Sequence, residues 1–222
     1  MFLKEAKSKV VIIMAGDLLL KNSTIEKLVT PLADSTVGIV GSHPVPVNDP
    51  KKFMGFAAHL MWDLHHVIST AKPKMGEMIA FRKIFEKIPV LSAVDEANIE
   101  PLIRGQGYKA VYAPQAIIYN KGPEKISEFI SQRRRIAYGH YCVKKEYSYE
   151  VSTLNSLNIL MMLLKNMKPS LRFFVWTPAI ILLEWYCRFL GYLDYKLKLK
   201  SHTIWQVVPS AKQLVSAGRR SD

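Results

Sequence analysis

Three groups of residues in this chain have types and spacing that together can do chemistry. Asp17 follows an apolar run, Val10 to Met14, that reads as a strand. Asp95 and Glu96 form an adjacent acidic pair, and Gln132-Arg133-Arg134-Arg135 fill one turn of an expected helix. A carboxylate at a strand end can hold a divalent cation, and a second carboxylate can take a proton from a hydroxyl. Arginines can neutralise phosphate oxygens. In that order the set suits the handling of a metal-bound diphosphate. The arginine turn fans around its helix, so its members cannot all serve one site. Gln132 and Arg135, three residues apart, share a face, and Arg133 or Arg134 is expected to reach solvent or lipid. Gly76-Glu77, just ahead of a short apolar run, is a further candidate for lining an acceptor pocket.

Each group also has an ordinary explanation. Asp17 can cap a turn, and Asp95-Glu96 is favoured in a first helical turn by the helix dipole alone. Glu77 reads equally well as a surface turn residue. The six histidines, among them His65, His66 and His140, show no metal-ligand spacing and read as packing residues. No P-loop, dinucleotide or nucleophile-elbow pattern is present.

The elements that must position these residues alternate between strand and helix, which argues for α/β layering. Val10–Met14 reads as a strand buried on both faces, preceded by the tail of a helix over 4–9. A helix is expected over Thr24–Ala33, with Ser23 as N-cap and Glu26 completing a capping box. Val37–Val40 reads as a strand that gives way to a Pro- and Gly-rich loop at 41–50. Helical spacing runs from Lys51 to Thr70, a short strand covers Met78–Phe81, and a short helix covers Asp95–Gly105. Val111-Tyr112 and Ile117–Tyr119 read as two strands separated by 113–116. Pro123 marks the start of the arginine-bearing helix, whose apolar face is Ile126, Phe129, Ile130 and Ala137.

The chain carries a formal net charge of +13, placed unevenly: residues 1–120 contribute +3 and residues 121–222 contribute +10. A basic C-terminal half favours an anionic partner. Nucleic acid is not expected, because the basic residues are interleaved with apolar runs and no nucleic-acid-binding motif appears. Two cysteines without a CxxC pattern, Cys142 and Cys187, give neither a disulfide framework nor a structural zinc site. From about Thr153 the texture turns strongly apolar, in Leu157–Leu164 and Phe173–Leu193. The division expected is therefore a catalytic region over 1–150 and a helical, membrane-associating region over 151–222. Glu184 and Arg188, four apart, can neutralise each other within the second apolar run. The flanking Arg172, Lys196, Lys198 and Lys200 suit anionic headgroups.

From Lys9 to Tyr141 the chain resembles the inverting family 2 glycosyltransferases, the group that includes cellulose, chitin and hyaluronan synthases and dolichyl-phosphate sugar transferases. The family's metal-binding Asp-x-Asp falls on Ala15-Gly16-Asp17, keeping its last carboxylate. Its acidic pair falls on Asp95-Glu96 with the order reversed. Its Gln-x-x-Arg-Trp motif falls on Gln132-Arg133-Arg134-Arg135-Ile136, with Ile in place of Trp. The resemblance implies a GT-A-like, partial Rossmann-related mixed sheet with flanking helices. About a hundred nucleobase-binding residues that the family carries before the position of Lys4 are not in this sequence. It further implies Mg²⁺ or Mn²⁺ on Asp17, Glu96 as base beside Asp95, and Gln132, Arg135 and Arg134 with Gly76 and Glu77 as substrate-binding residues. A nucleotide-sugar donor, a glycan or lipid-linked acceptor in polysaccharide or glycolipid synthesis, and the cytoplasmic face of a membrane complete that expectation. The alternative is a catalytically inactive, membrane-associated scaffold with the same fold.

Overall fold

The structure is a computed structural model that describes residues 2–86, 95–147, 170–200, 202, 209 and 210. The apolar run Leu157–Leu164 lies outside the described residues. So do the side chains of Asp95 and Glu96, although the backbone places both at the start of a helix.

In chain order the elements are α1 (Phe2–Glu5), β1 (Val10–Met14), β2 (Leu19–Leu20), α2 (Thr24–Val29), a 3₁₀ turn (Thr30–Ala33) and β3 (Val37–Pro46). There follow α3 (Phe53–Ala71), β4 (Met78–Arg82), α4 (Asp95–Arg104), β5 (Lys109–Asn120) and α5 (Ile126–Tyr147). A last helix spans Leu171–Leu197 and is named α6. Among the described residues the strands form one mixed sheet in the order β1-β4-β3-β5-β2. β3 and β5 are parallel, β4 runs antiparallel to both β1 and β3, and β2 is antiparallel to β5. The expected mixed α/β architecture is thus present.

Both faces of the sheet carry a core. On one, Leu28 and Leu32 pack over Val40, Met78, Ala80 and Ile118. On the other, Ile99 and Ile103 of α4 pack over Ile39, Ile79 and Phe81. A third core, made by Met54, Ala57, Leu60, Phe129, Phe173, Ile180 and Cys187, joins α3, α5 and α6.

Several sequence expectations need correction. β1 is an edge strand and only half-buried, although Val10 and Ile12 lean on one core and Val11 and Ile13 on the other. The helix expected to lead into it stops at Glu5. Ser23 is no conventional N-cap: its backbone is left-handed (φ 61°) and its side chain makes no cap bond. Thr24 ties that corner down instead, donating through Oγ1 to the carbonyls of Lys21 and Ile117, both at 2.6 Å. β3 does not end at Val40 but runs on to Pro46, prolines included. Its ladder with β4 covers only Ile39 to Gly41, so the later residues have one hydrogen-bonding neighbour, β5, and the missing proline N–H groups cost little. β5 is one strand with a break in its ladder, Gly41 pairing with Tyr112 and His43 with Ile117. Finally, α5 begins at Ile126 rather than at Pro123, and Ile126 is exposed. Residues before it are held by Asn48, whose side-chain amide donates to the carbonyl of Gly122 (3.0 Å) and accepts from its N–H (2.7 Å).

Candidate functional site

The sheet brings one group of predicted residues together at its carboxyl edge. β1 ends there, β4 begins there, and β3 and β5 both end there. The N–H of Ala15 donates to the carbonyl of Glu77 at 3.1 Å, and Leu19 pairs with Tyr119. Because β1 and β2 lie at opposite margins of the sheet, residues 15–18 cross the ends of the strands between them, and Asp17 lies in that crossing. Ligands of open α/β sheets bind along this edge. Glu77 stands in the same place, its Oε2 accepting from Asn120 Nδ2 at 2.7 Å. Asn120 is buried, and its Oδ1 has no partner among the described residues. The sequence reading missed Asn120, whose only signal is an amide closing a long strand. Gly76 is buried, and a side chain added there would meet Pro44 and the His65 ring at ordinary contact distance (both 3.5 Å), so its role is not enforced by crowding.

The arginine turn of α5 behaves differently from the expectation that one of Arg133 and Arg134 faces solvent or lipid. Both are clamped by carboxylates of α6. Arg133 donates through Nε and Nη2 to the two oxygens of Glu184, at 2.7 and 2.6 Å. Arg134 does the same with Asp194, at 2.5 Å for each bond, and His202 adds a contact of 2.7 Å to the same carboxylate. Asp194 is fully buried, which a carboxylate tolerates only with such partners. The expected pair of Glu184 and Arg188 is present at 2.8 Å. Arg134, expected among the substrate-binding residues, has its forked donors engaged by Asp194. Gln132 and Arg135 are half-buried in the same turn.

One short loop connects the two regions. Lys74 lies within electrostatic reach of Arg133, Arg188, Glu184 and Glu100, and burial beside the two guanidinium groups pushes its pKa down to about 8. Three residues later Glu77 meets Asn120. Three Cα steps span roughly 11 Å at most, so the carboxyl edge and the arginine turn flank the same loop. α4, which carries Asp95 and Glu96 at its start, approaches this loop through Glu100.

Among the described residues no three His, Cys, Asp or Glu side chains are grouped to cage a metal. A single carboxylate at a sheet edge does fit Mg²⁺ or Mn²⁺ that arrives with a diphosphate, because such an ion keeps water and phosphate oxygens as most of its ligands.

No family model and no curated protein matches the sequence. Among solved structures the chain is similar to the mannosyltransferase PcManGT from Pyrobaculum calidifontis in complex with GDP-Man and Mn²⁺, with a TM-score of 0.45 and 18% identity. The likeness covers 99% of this chain and 57% of that one. A resemblance this loose fixes neither ligand nor mechanism for the present chain.

Proposed function

We propose that the protein is a metal-dependent glycosyltransferase that moves a sugar from a nucleotide-sugar donor to a hydroxyl or lipid-linked acceptor with inversion, at the cytoplasmic face of a membrane. The observation that carries the reading is the carboxyl edge of the sheet, where the Asp17 crossing meets Glu77 and Asn120.

In this mechanism Asp17 would hold Mg²⁺ or Mn²⁺, and such an ion would supply positive charge to offset that of a departing diphosphate. Gln132 and Arg135 hold the same diphosphate from α5. Glu96, beside Asp95, accepts the proton of the attacking hydroxyl, and Gly76 and Glu77 border the acceptor. Arg134 acts through position, fixing α5 against α6. Losing one preorganised electrostatic contact of this kind costs on the order of 10²–10³ in turnover. The expected result is release of nucleoside diphosphate from one member of a panel of sugar nucleotides in the presence of Mn²⁺. Asp17→Asn and Glu96→Gln should each reduce it by about two orders of magnitude or more. Retained turnover in both variants rejects these assignments.

Ala15-Gly16-Asp17, which keeps only the last carboxylate of the Asp-x-Asp pattern, favours a second reading, a catalytically silent scaffold. Failure of every nucleotide to bind with Mn²⁺ in calorimetry is the result that supports it.

A further inference from the structure

β5 ends on a polar residue where its own alternation calls for an apolar one. Ala116 and Ile118 are buried in the core that Leu28 and Leu32 cover, and the intervening Ile117 and Tyr119 are only partly buried. Asn120 takes the next buried position of that row. A buried amide has a donor end and an acceptor end to satisfy. Asn120 satisfies one of them, Nδ2 donating to Glu77 Oε2 at 2.7 Å, while its Oδ1 has no partner among the described residues. An unpaired buried oxygen lowers stability, so packing alone would favour Leu or Val here. What the amide adds is its hold on Glu77.

That hold is not a by-product of the sheet. β3 lies between β4 and β5, and the β3–β4 ladder stops at Gly41. Glu77, just ahead of β4, and Asn120, at the end of β5, therefore meet only through their side chains. Asn120 is itself anchored. Its carbonyl accepts from the N–H of Val47 at 2.9 Å, and Asn48 ties down Gly122 two residues on. A glutamate side chain samples several rotamers, and a hydrogen bond from a fixed amide selects among them.

The held carboxylate is half-buried and stands beside the Asp17 crossing, because the N–H of Ala15 donates to the Glu77 carbonyl at 3.1 Å. A carboxylate in that place accepts hydrogen bonds and repels anions. The group that suits it is a hydroxyl of an uncharged sugar, and a second carboxylate or a phosphate does not.

We infer that Asn120 is a positioning residue, which holds the Glu77 carboxylate so that it accepts hydrogen bonds from the hydroxyls of a neutral acceptor sugar. The word acceptor rests on the transferase reading; recognition of sugar hydroxyls by the pair does not.

The test titrates the full chain with the methyl glycosides of glucose, galactose and mannose, each beside its uronic acid counterpart, and follows binding by saturation-transfer NMR. A sugar-nucleotide panel with Mn²⁺ is titrated in parallel by calorimetry. At least one neutral hexoside is expected to bind, at least tenfold more tightly than its uronide. Asn120→Asp sets two carboxylates against each other and should weaken that hexoside about tenfold, the scale of a lost hydrogen bond to a charged group. Adding Glu77→Gln to it restores an amide–carboxylate pair with the polarity reversed, and affinity should return to within about threefold of wild type. Asn120→Ala should weaken the hexoside as Asn120→Asp does and keeps the test informative if the latter does not fold. Glu77→Gln alone should narrow the gap between hexoside and uronide, whereas loss of a merely structural contact lowers both alike. Equal binding of every hexoside and its uronide overturns the inference, as does hexoside affinity within twofold of wild type in every folded Asn120 variant. Displacement of the hexoside by an intact sugar nucleotide, but not by its nucleoside diphosphate, puts the pair on the donor sugar and overturns the acceptor assignment. Hexoside binding that depends on Asn120, with no sugar nucleotide binding at all, keeps the pair and removes the transferase reading. Sugar nucleotide binding without hexoside binding does the reverse.

Discussion

At the scale of single residues, the partners of the arginine turn decide most. Arg134 and His202 converge on the fully buried carboxylate of Asp194 and form one polar knot. Removing one partner of such a knot leaves the others charged and unsatisfied, so Asp194→Ala is expected to lower unfolding free energy by about 3–5 kcal/mol, read by urea denaturation. Conservative loss at the exposed Lys145 should leave it unchanged. The sequence exposes why this knot was hidden. Glu184 and Arg188 lie four apart, so helical geometry alone announces their pairing, whereas Asp194 stands sixty residues from Arg134 and nothing local connects them. Histidine burial supplies a second test. His65 is buried against Lys74, His43 and His66, with its Nε2 unpartnered among the described residues, and desolvation pushes its pKa down to about 3. The unfolded chain binds a proton at the ordinary histidine pKa near 6.5, and the folded chain does not. Stability should therefore be unaffected by this group above pH 6.5 and fall as pH drops from 6.5 toward 3. Melting curves across that window should show the decline, and His65→Gln should flatten part of it; an unchanged slope in the variant assigns the acid sensitivity elsewhere.

At the scale of elements, what could be read locally was read well and what depended on neighbours was not. β1 and the starts of α2, β3, β4 and α4 fall where apolar runs and turn residues place them. The length of β3 could not be read, because Pro44 and Pro46 are tolerated only where β4 has stopped pairing, a fact of topology. The two segments read in β5 are real as ladder, 109–112 and 117–120 each pairing with β3. Between them the chain bulges, and His43 Nδ1 donates to the Pro114 carbonyl at 2.9 Å across the gap. The contact of α5 with α6 rests on a small residue that no periodicity marks. A side chain at Gly191 would come within 2.7 Å of both the Ala137 Cβ and the Arg134 carbonyl, so the helices cross with no space between them. Gly191→Val must push α6 off α5 and loosen both arginine clamps. The expected cost is roughly 1–3 kcal/mol from overpacking. Gly16→Ala, with nothing within 4 Å of the added carbon, should leave melting unchanged.

At the scale of the whole molecule, α6 is apolar on both sides. Thr177, Glu184 and Asp194 turn toward the protein beside the core residues Phe173, Ile180 and Cys187, while Phe174 (62% exposed), Leu182 (68%) and Trp185 (65%) turn away. It is also the one described helix long and apolar enough to cross a bilayer, by length and composition alone. Soluble proteins seldom leave a contiguous apolar strip of this kind uncovered. The sequence signalled the apolar run but not its orientation, because only the arginines of α5 reveal which side of α6 faces the protein. A lipid surface against the outward face is the proposed reading of that polarity, and Lys196 in the last turn with Lys198 and Lys200 just after it suits anionic headgroups. Leu182→Glu with Trp185→Glu leaves the inward contacts intact and puts two charges where acyl chains would lie. Flotation with anionic vesicles should then fall by at least tenfold, since the two apolar side chains each contribute about 1.5–3 kcal/mol when buried. Melting in detergent-free buffer should stay the same or rise. The opposite pair of results, unchanged flotation with a lowered melting temperature, would mean that protein rather than lipid covers the outward face of α6.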